Sequence, residues 1–392
     1  VKDGPLRTDA RYNAKRNAAH EEEYVFSVQQ MQQVHTTNLA LRDFNFETPN
    51  DTVSGAREES EGYGPLEIYD YPGLFDKSGD GGRYAGVRLE EQLALEKVLQ
   101  CASNCRGLMP GFKFELKEHP RKDFNQSLLV LRVRHEAHEE GGFQAGRETE
   151  SEYSYQNHFD AIPASQAYRP PRTTPSPVIH GAQTAVVTGP SGEEIHTDKY
   201  GRVKVHFHWD RQQPLDDKSS CWVRVSQGWA GKNWGTVMLP RVGMEVIVDF
   251  LEGDPDRPLV TGCVYNAEAM PPYALPANKT ISGVKSRSTK DAGSEDLNAI
   301  RFEDKKGNEQ LFIQAQRNQD IRVKNDRYEH IGHDRHLIVK NNRTEFIENE
   351  RHEKVAADHV EEIGGDRHLM VKGKEAVAIG KNRSLTVKGD LI

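Results

Sequence analysis

From Asp320 the chain divides into nine consecutive octads, DIRVKNDR, YEHIGHDR, HLIVKNNR, TEFIENER, HEKVAADH, VEEIGGDR, HLMVKGKE, AVAIGKNR and SLTVKGDL. The fourth residue is β-branched and aliphatic every time: Val323, Ile331, Val339, Ile347, Val355, Ile363, Val371, Ile379 and Val387. A period of eight excludes a continuous helix, because eight is no multiple of about 3.6. It is a multiple of two, so an extended chain turns the same face to the same side in every octad. The sixth residue is Gly or Asn in six octads (Asn325, Asn341, Asn349, Gly365, Gly373 and Gly389), residue types that tolerate the positive φ of a tight turn. A short strand and a corner therefore fit each octad.

Such a strand cannot build a core alone. The second position adds an apolar residue in only five octads, Ile321, Leu337, Leu369, Val377 and Leu385, and carries Glu in the other four. A buried Val or Ile contributes only about 1.5–3 kcal/mol, against an ordering cost of roughly 1 kcal/mol for each of eight residues. The pattern predicts that three chains share the core, with three β-branched residues meeting at the axis in each layer and no free sheet edge. At about 4.8 Å per strand, nine layers make a shaft of roughly 40 Å. Its surface is charge-balanced, with 14 Lys plus Arg and 14 Asp plus Glu between 320 and 391. Acid–Arg pairs recur at positions seven and eight (Asp326–Arg327, Asp334–Arg335, Glu350–Arg351, Asp366–Arg367) and are expected to interleave as solvated surface ladders.

Composition agrees with this picture. The 392 residues are 35% hydrophobic and 29% charged, with a net charge of −8, and the mean hydropathy of −0.77 is low for so long a chain. No apolar run approaches the ~18 residues that span a bilayer, and no stretch at the amino end reads as a signal peptide. A pI near 6.1 argues against general attraction to nucleic acid or anionic lipid. Four cysteines are too few for a disulfide scaffold, so a reducing cytoplasm is the expected compartment. Val1 at one end and an unterminated repeat at Ile392 suggest a fragment at both ends.

Residues 171–267 read as a small five-stranded barrel of the OB type. Val203, Val205 and Phe207 alternate with Lys204, His206 and His208, and further strands are expected at 185–188, 221–226, 244–251 and 259–264. Trp209, Trp222, Trp229 and Trp234 cluster here. They would stack on bases in a nucleic-acid-binding barrel, or else pack the barrel or a surface between subunits; the segment lacks a basic groove. The first 170 residues mix β and α, with a helix expected at 86–103, a strand at 128–133 and a polar connection at 144–174. Residues 268–319 read as a neck.

Catalytic and metal signatures are weak. His206 and His208, and His330, His333 and His336, would need several chains to converge on a metal and lack a carboxylate or thiolate at ligand spacing. Cys101 and Cys105 read as a core and a surface cysteine, and Ser78–Gly79–Asp80–Gly81–Gly82 as a flexible turn, since no Lys–Ser/Thr follows it. Glu115 has no partner carboxylate that sequence alone can assign.

Several stretches carry a family resemblance: Asn38 to Phe46, Tyr69 to Gly73, Leu108 to Phe114, His196 to Val205, Leu239 to Val246, and the Val-x-Gly units Val371–Gly373 and Val387–Gly389. In this order they resemble the VgrG family, the trimeric spikes of bacterial type VI secretion, which are similar to the hub and spike of contractile phage tails. The resemblance implies a mainly β fold with four parts. These are a partial hub-like domain of mixed α+β and β-barrel character (1–170), an OB-fold barrel (171–267), a neck (268–319) and a truncated, intertwined triple-stranded β-helix or needle (320–392). It implies a homotrimer that caps the tube of Hcp hexamers at the hub end, meets baseplate components, and carries a PAAR-type tip and cargo effectors at the shaft end. The spike assembles in the bacterial cytoplasm and leaves without a signal peptide, to puncture a target envelope. No catalytic residue, cofactor, metal or nucleic-acid partner is implied, and the shaft core is the set of nine residues named above. Asn266 to Gln319, 54 residues, is too short for the lysozyme that phage homologues can carry there. The alternatives are a phage-type tail spike and a trimeric β-helical polysaccharide-degrading enzyme, which would need carboxylates along an exposed groove.

Overall fold

The computed structural model describes residues 2–15, 22–59, 64, 66–140, 152–212 and 214–389. The expected chain-end features at Val1 and Ile392, and residues 144–151 of the expected connection, lie outside the described residues. The chain divides into two compact units, Val1–Asn278 and Lys279–Ile392. It is mainly β, with nineteen strands and one α-helix among the described residues.

The first unit begins with β1 (Asp9–Tyr12), β2 (Tyr24–Gln32), β3 (Asn38–Asp43), β4 (Val53–Glu58), β5 (Glu67–Asp70), α1 (Ser78–Leu93), β6 (Lys97–Ser103), β7 (Lys113–Lys117), β8 (Ser127–Glu140) and β9 (Glu152–Pro163). Six of these strands close a barrel in the order β1-β2-β6-β9-β8-β7. Its core alternates with the pleat: Leu99 and Cys101 on β6, Phe114 and Leu116 on β7, Leu128 and Val130 on β8, and Phe159 and Ala161 on β9 all point inward. Phe114 and Phe159 meet edge to face, 5.7 Å apart.

The remaining three strands form a sheet in the order β4-β3-β5, covered by α1. The helix buries Gly81, Ala85 and Leu89, four residues apart on one stripe, against Leu39, Leu41 and Val53. It runs against β4 so closely that a Cβ on Gly55 would sit 1.9 Å from the carbonyl carbon of Gly81.

Three local expectations are corrected here. The helix starts at Ser78 and ends at Leu93, while residues 97–103, expected to continue it, are the barrel strand β6. There the alternation of Leu99 and Cys101 toward a sheet core outweighs a weak helical spacing. The Ser78–Gly82 run is the first turn of that helix and no flexible turn, and Gly81 in it allows α1 to approach Gly55 of β4. The stretch expected as a polar connection contains β9, which pairs along its length with β8.

The first unit continues with β10 (Gln183–Thr188), β11 (Lys204–Phe207), β12 (Arg224–Val225), the short hairpin β13 (Ala230–Gly231) and β14 (Trp234–Gly235), β15 (Glu245–Phe250) and β16 (Pro258–Val264). Five of these form a sheet in the order β11-β10-β15-β16-β12. Val203 and Val223 join its two ends, each donating its N–H to the other's carbonyl, at 2.9 and 2.8 Å. Ala185, Val187, Val203, Val205, Val246, Val248 and Val260 fill the interior, so the predicted alternation at 203–207 holds.

The second unit opens with a three-stranded antiparallel meander, β17 (Ile281–Lys285), β18 (Ala299–Glu303) and β19 (Gln310–Gln314). Gly283 takes φ +155, and any Cβ there would lie 2.2 Å from the Ile300 carbonyl oxygen. The octads follow.

Candidate assembly surface

Residues 315–389 form no strand and no backbone–backbone hydrogen bond with one another among the described residues. Yet the conformation is regular. A bend falls on the fifth and sixth positions of each of the nine octads, from Lys324–Asn325 to Lys388–Gly389. The corners therefore sit where the Gly and Asn preference predicts them. The expected reason is corrected, however, since none of the described corner residues takes a positive φ.

Exposure separates the two faces. The nine fourth-position residues are 43–49% exposed, the apolar second-position residues 57–66%, and the apolar residues at positions one and three (Tyr328, Ile338, Phe346, Val360 and Met370) 84–89%. Positions two and four thus turn to one side and positions one and three to the other, as period-two geometry demands. The side of positions two and four lines up aliphatic groups along nine layers, left 43–66% exposed, and among the described residues the backbone beside them makes no backbone–backbone hydrogen bond. An aliphatic face beside unpaired extended backbone is a surface that other strands could complete.

Within one chain the shaft charges also pair between octad positions two and eight. The four glutamates that replace an apolar second residue, Glu329, Glu345, Glu353 and Glu361, each pair with an eighth-position arginine. Arg327 and Arg335 reach Glu329 at 3.2 and 3.3 Å, Arg343 reaches Glu345 at 2.7 Å, Arg351 reaches Glu353 at 2.9 Å and Arg367 reaches Glu361 at 3.2 Å. Asp334 and Glu350 bind His333 and His352 instead of the arginines that follow them. The pairing was readable in the octads as Glu at two whenever the apolar residue is missing.

The meander also has an unpartnered face. Its register sets Phe302 between Ser282 and Leu311 and sets Ile300 between Val284 and Ile313. Val284, Ile300, Phe302, Leu311 and Ile313 are all at least 45% exposed. On the opposite face Arg301 donates to the Gln310 side chain at 2.7 Å and lies 4.9 Å over the Phe312 ring.

In the first unit the four tryptophans do not pack the barrel. Trp209, Trp229 and Trp234 are exposed and Trp222 is half-buried beside His196, 4.9 Å away, with the Lys204 ammonium 5.1 Å from its ring. Of the expected alternatives, packing the barrel is therefore corrected. Phe46 is flanked by two guanidinium groups, Arg202 at 5.2 Å and Arg224 at 4.9 Å.

His208 bonds the Thr184 hydroxyl at 3.1 Å, and His333 lies 2.9 Å from Asp334. Among the described residues, no group of three or more His, Cys, Asp or Glu is arranged to hold a metal ion. Cys101 and Cys105 are both buried, which corrects the expectation that one of them is a surface cysteine. Burial pushes their thiols up, to about 12 and about 11. Glu115 pairs with Lys117 at 3.2 Å. No described helix is long and apolar enough to cross a membrane.

Three family models match. Residues 5–141 match the phage tail baseplate hub (GPD), residues 184–265 the type VI secretion system/phage-baseplate injector OB domain, and residues 282–391 the bacteriophage T4 gp5 C-terminal trimerisation domain. The chain is 50% identical over 326 residues to the type VI secretion system spike protein VgrG1b of Pseudomonas aeruginosa, a match covering 80% of this chain and 42% of that relative. It is 35% identical over 330 residues to the actin cross-linking toxin VgrG1 of Vibrio cholerae, covering 83% of this chain and 30% of that one. The chain thus spans less than half the length of these relatives. A solved E. coli type VI secretion component, described as structurally similar to T4 tail proteins gp27 and gp5, aligns with a TM-score of 0.38 and 23% identity over 67% of this chain and 51% of its own.

Proposed function

The chain belongs to the VgrG family of type VI secretion spike proteins, and from that premise we propose that it is a puncturing spike whose work is mechanical. Three copies wind their octads together, bringing Val323, Ile331, Val339, Ile347, Val355, Ile363, Val371, Ile379 and Val387 to a common axis. The observation that carries this reading is the graded exposure of the apolar octad residues, with the fourth position less exposed than those at positions one, two and three, and no backbone pairing among the described residues of 315–389. Three strands closing on one another satisfy both at once. A prism without free edges resists fraying under axial load.

In this reading residues 1–170 form the hub part, 171–267 the OB barrel, 268–319 the neck and 320–392 the needle. The hub end caps the tube of Hcp hexamers within the baseplate. The needle end carries a PAAR-type tip and cargo effectors. The spike is assembled in the bacterial cytoplasm and driven outward into the target cell. This part of the chain transmits force and carries no catalysis of its own; the relative named as a toxin is matched over only 30% of its length, so the match leaves most of that protein uncovered.

The experiment is made in a bacterium that depends on this spike alone for type VI secretion. Its deletion is expected to abolish release of Hcp into the medium, and the parent gene, but not one carrying Ile363→Asp, is expected to restore it. Undiminished Hcp release without the chain would overturn the reading.

A further inference from the structure

Residues 227–238 hold an apolar knob that joins none of the hydrophobic cores of the described residues. Trp229, Trp234, Val237 and Met238 are each more than half exposed. The knob is nevertheless ordered. The two indoles meet edge to face at 5.0 Å, Thr236 N–H donates to the Trp229 carbonyl at 2.9 Å, and Gln227 bonds Met238 through both its amide oxygen (2.9 Å) and its amide nitrogen (3.3 Å). Gly231 is required at the hairpin, because a Cβ there would lie 2.2 Å from the Trp234 ring. A rigid display of two tryptophans to water marks an interaction site.

Elsewhere on the same unit is an open cleft of about 1010 Å³ between the β3–β5 side and the OB barrel. Exposed Phe44, Tyr71 and Leu251 line it, together with Phe46, Arg224 and Cys221. One side of the Arg224 guanidinium is stacked on Phe46 at 4.9 Å, which leaves its other side for a second ring. No residue of 229–238 lines this cleft.

We propose that the tryptophan knob of one protomer seats in this cleft of the next protomer around the threefold axis; the inference rests on the trimer reading above. A closed ring of three identical chains requires a heterologous contact, in which two different surfaces of the chain meet. A knob and a cleft that do not meet within one chain are such a pair. Their chemistry matches, since an apolar aromatic hairpin meets aromatic walls and a guanidinium, and tryptophan is the strongest ring partner for that cation. About six-tenths of each indole is exposed, so the two could bury roughly 180–300 Å² at each contact, repeated three times in the ring.

Native Cys221 supplies the test. A chain carrying Lys232→Cys at the hairpin tip and Cys263→Ser to remove the other exposed thiol is treated with a short bismaleimide, after its mass in solution has been measured. The expected result is a trimer that gives covalent two-chain and three-chain products in denaturing gels, with both lost when Cys221→Ser is added. A trimer that yields only single-chain products overturns the knob-in-cleft contact and leaves the trimer reading standing. A monomeric mass for the unsubstituted chain overturns both. Trp229→Ala combined with Trp234→Ala is expected to raise the trimer's dissociation constant at least tenfold, and an unchanged constant counts against the contact.

Discussion

One nitrogen of Arg257, Nη2, donates to both carboxylate oxygens of Asp43, at 2.8 and 2.7 Å, and the Asp43 side chain is wholly buried. The two residues are 214 positions apart. Asp43 ends β3 and Arg257 immediately precedes β16, so the contact ties the helix-covered sheet to the OB barrel. Backbone N–H groups of Phe44 (2.7 Å), Leu74 (2.6 Å) and Phe75 (3.3 Å) complete the shell of the carboxylate. Removing one partner leaves a buried charge or a set of unanswered donors. Asp43→Asn is therefore expected to cost about 3 kcal/mol, read as a lower urea midpoint for the first unit. A change within about 0.5 kcal/mol would show that the pair is dispensable.

The same contact sets a pH dependence. Burial pushes the Asp43 carboxyl up, but the hydrogen bonds from Arg257, Phe44 and Leu74, with the charge of Arg257, more than offset it and hold the group below the usual carboxylate range. A group with a depressed folded-state value stabilises in full above its unfolded value, about pH 3.9, and loses that contribution as pH falls through the folded value. The stability gap between the parent and Asp43→Asn should therefore be constant near neutrality and narrow below about pH 4. A gap that widens on acidification would contradict the assignment.

The approach of α1 to β4 predicts opposite effects for two glycines. Gly55→Ala drives a Cβ into the Gly81 backbone at 1.9 Å, where no side chain can yield, and is expected to cost at least about 1–3 kcal/mol. Gly86→Ala, on the same helix with nothing within 4 Å, should be neutral or gain about 0.5–1 kcal/mol. Thermal unfolding of the two variants checks the contrast, and similar behaviour of both would count against the packing.

Thiol chemistry separates buried from exposed cysteines. Cys101 and Cys105, with thiols pushed to about 12 and about 11 by burial, should resist a maleimide at neutral pH until the barrel unfolds. Mass spectrometry after brief labelling of the native protein reads this directly. Rapid modification of either residue would mean that the barrel opens locally.

Some of this architecture was legible in the sequence because its signal is local. The octads repeat one short conformation, so a period of eight with aliphatic fourth residues reveals both the less exposed face and the corners at positions five and six. The valine alternation at 203–207 reports its own burial in the same way. Where a partner lies far along the chain, the signal is absent. No local pattern links Asp43 to Arg257, and Gly81 reads as part of a turn because its reason, the nearness of Gly55, is tertiary. Residues 97–103 show weak spacings of both kinds, and only barrel pairing with β2 and β9 decides for a strand. The glutamate–arginine pairs have a local signal, since the same four octads that lack an apolar second residue carry Glu there.

The central claim is that several chains share the octad core, and mass in solution tests it most directly. Sedimentation equilibrium should return about three times the 44.3 kDa of one chain. Ile363→Asp, which puts a carboxylate on the fourth-position face, should dissociate that species, while Val360→Asp, on the outward face of the same octad, should leave it intact. A folded parent chain that sediments at 44.3 kDa would contradict the account.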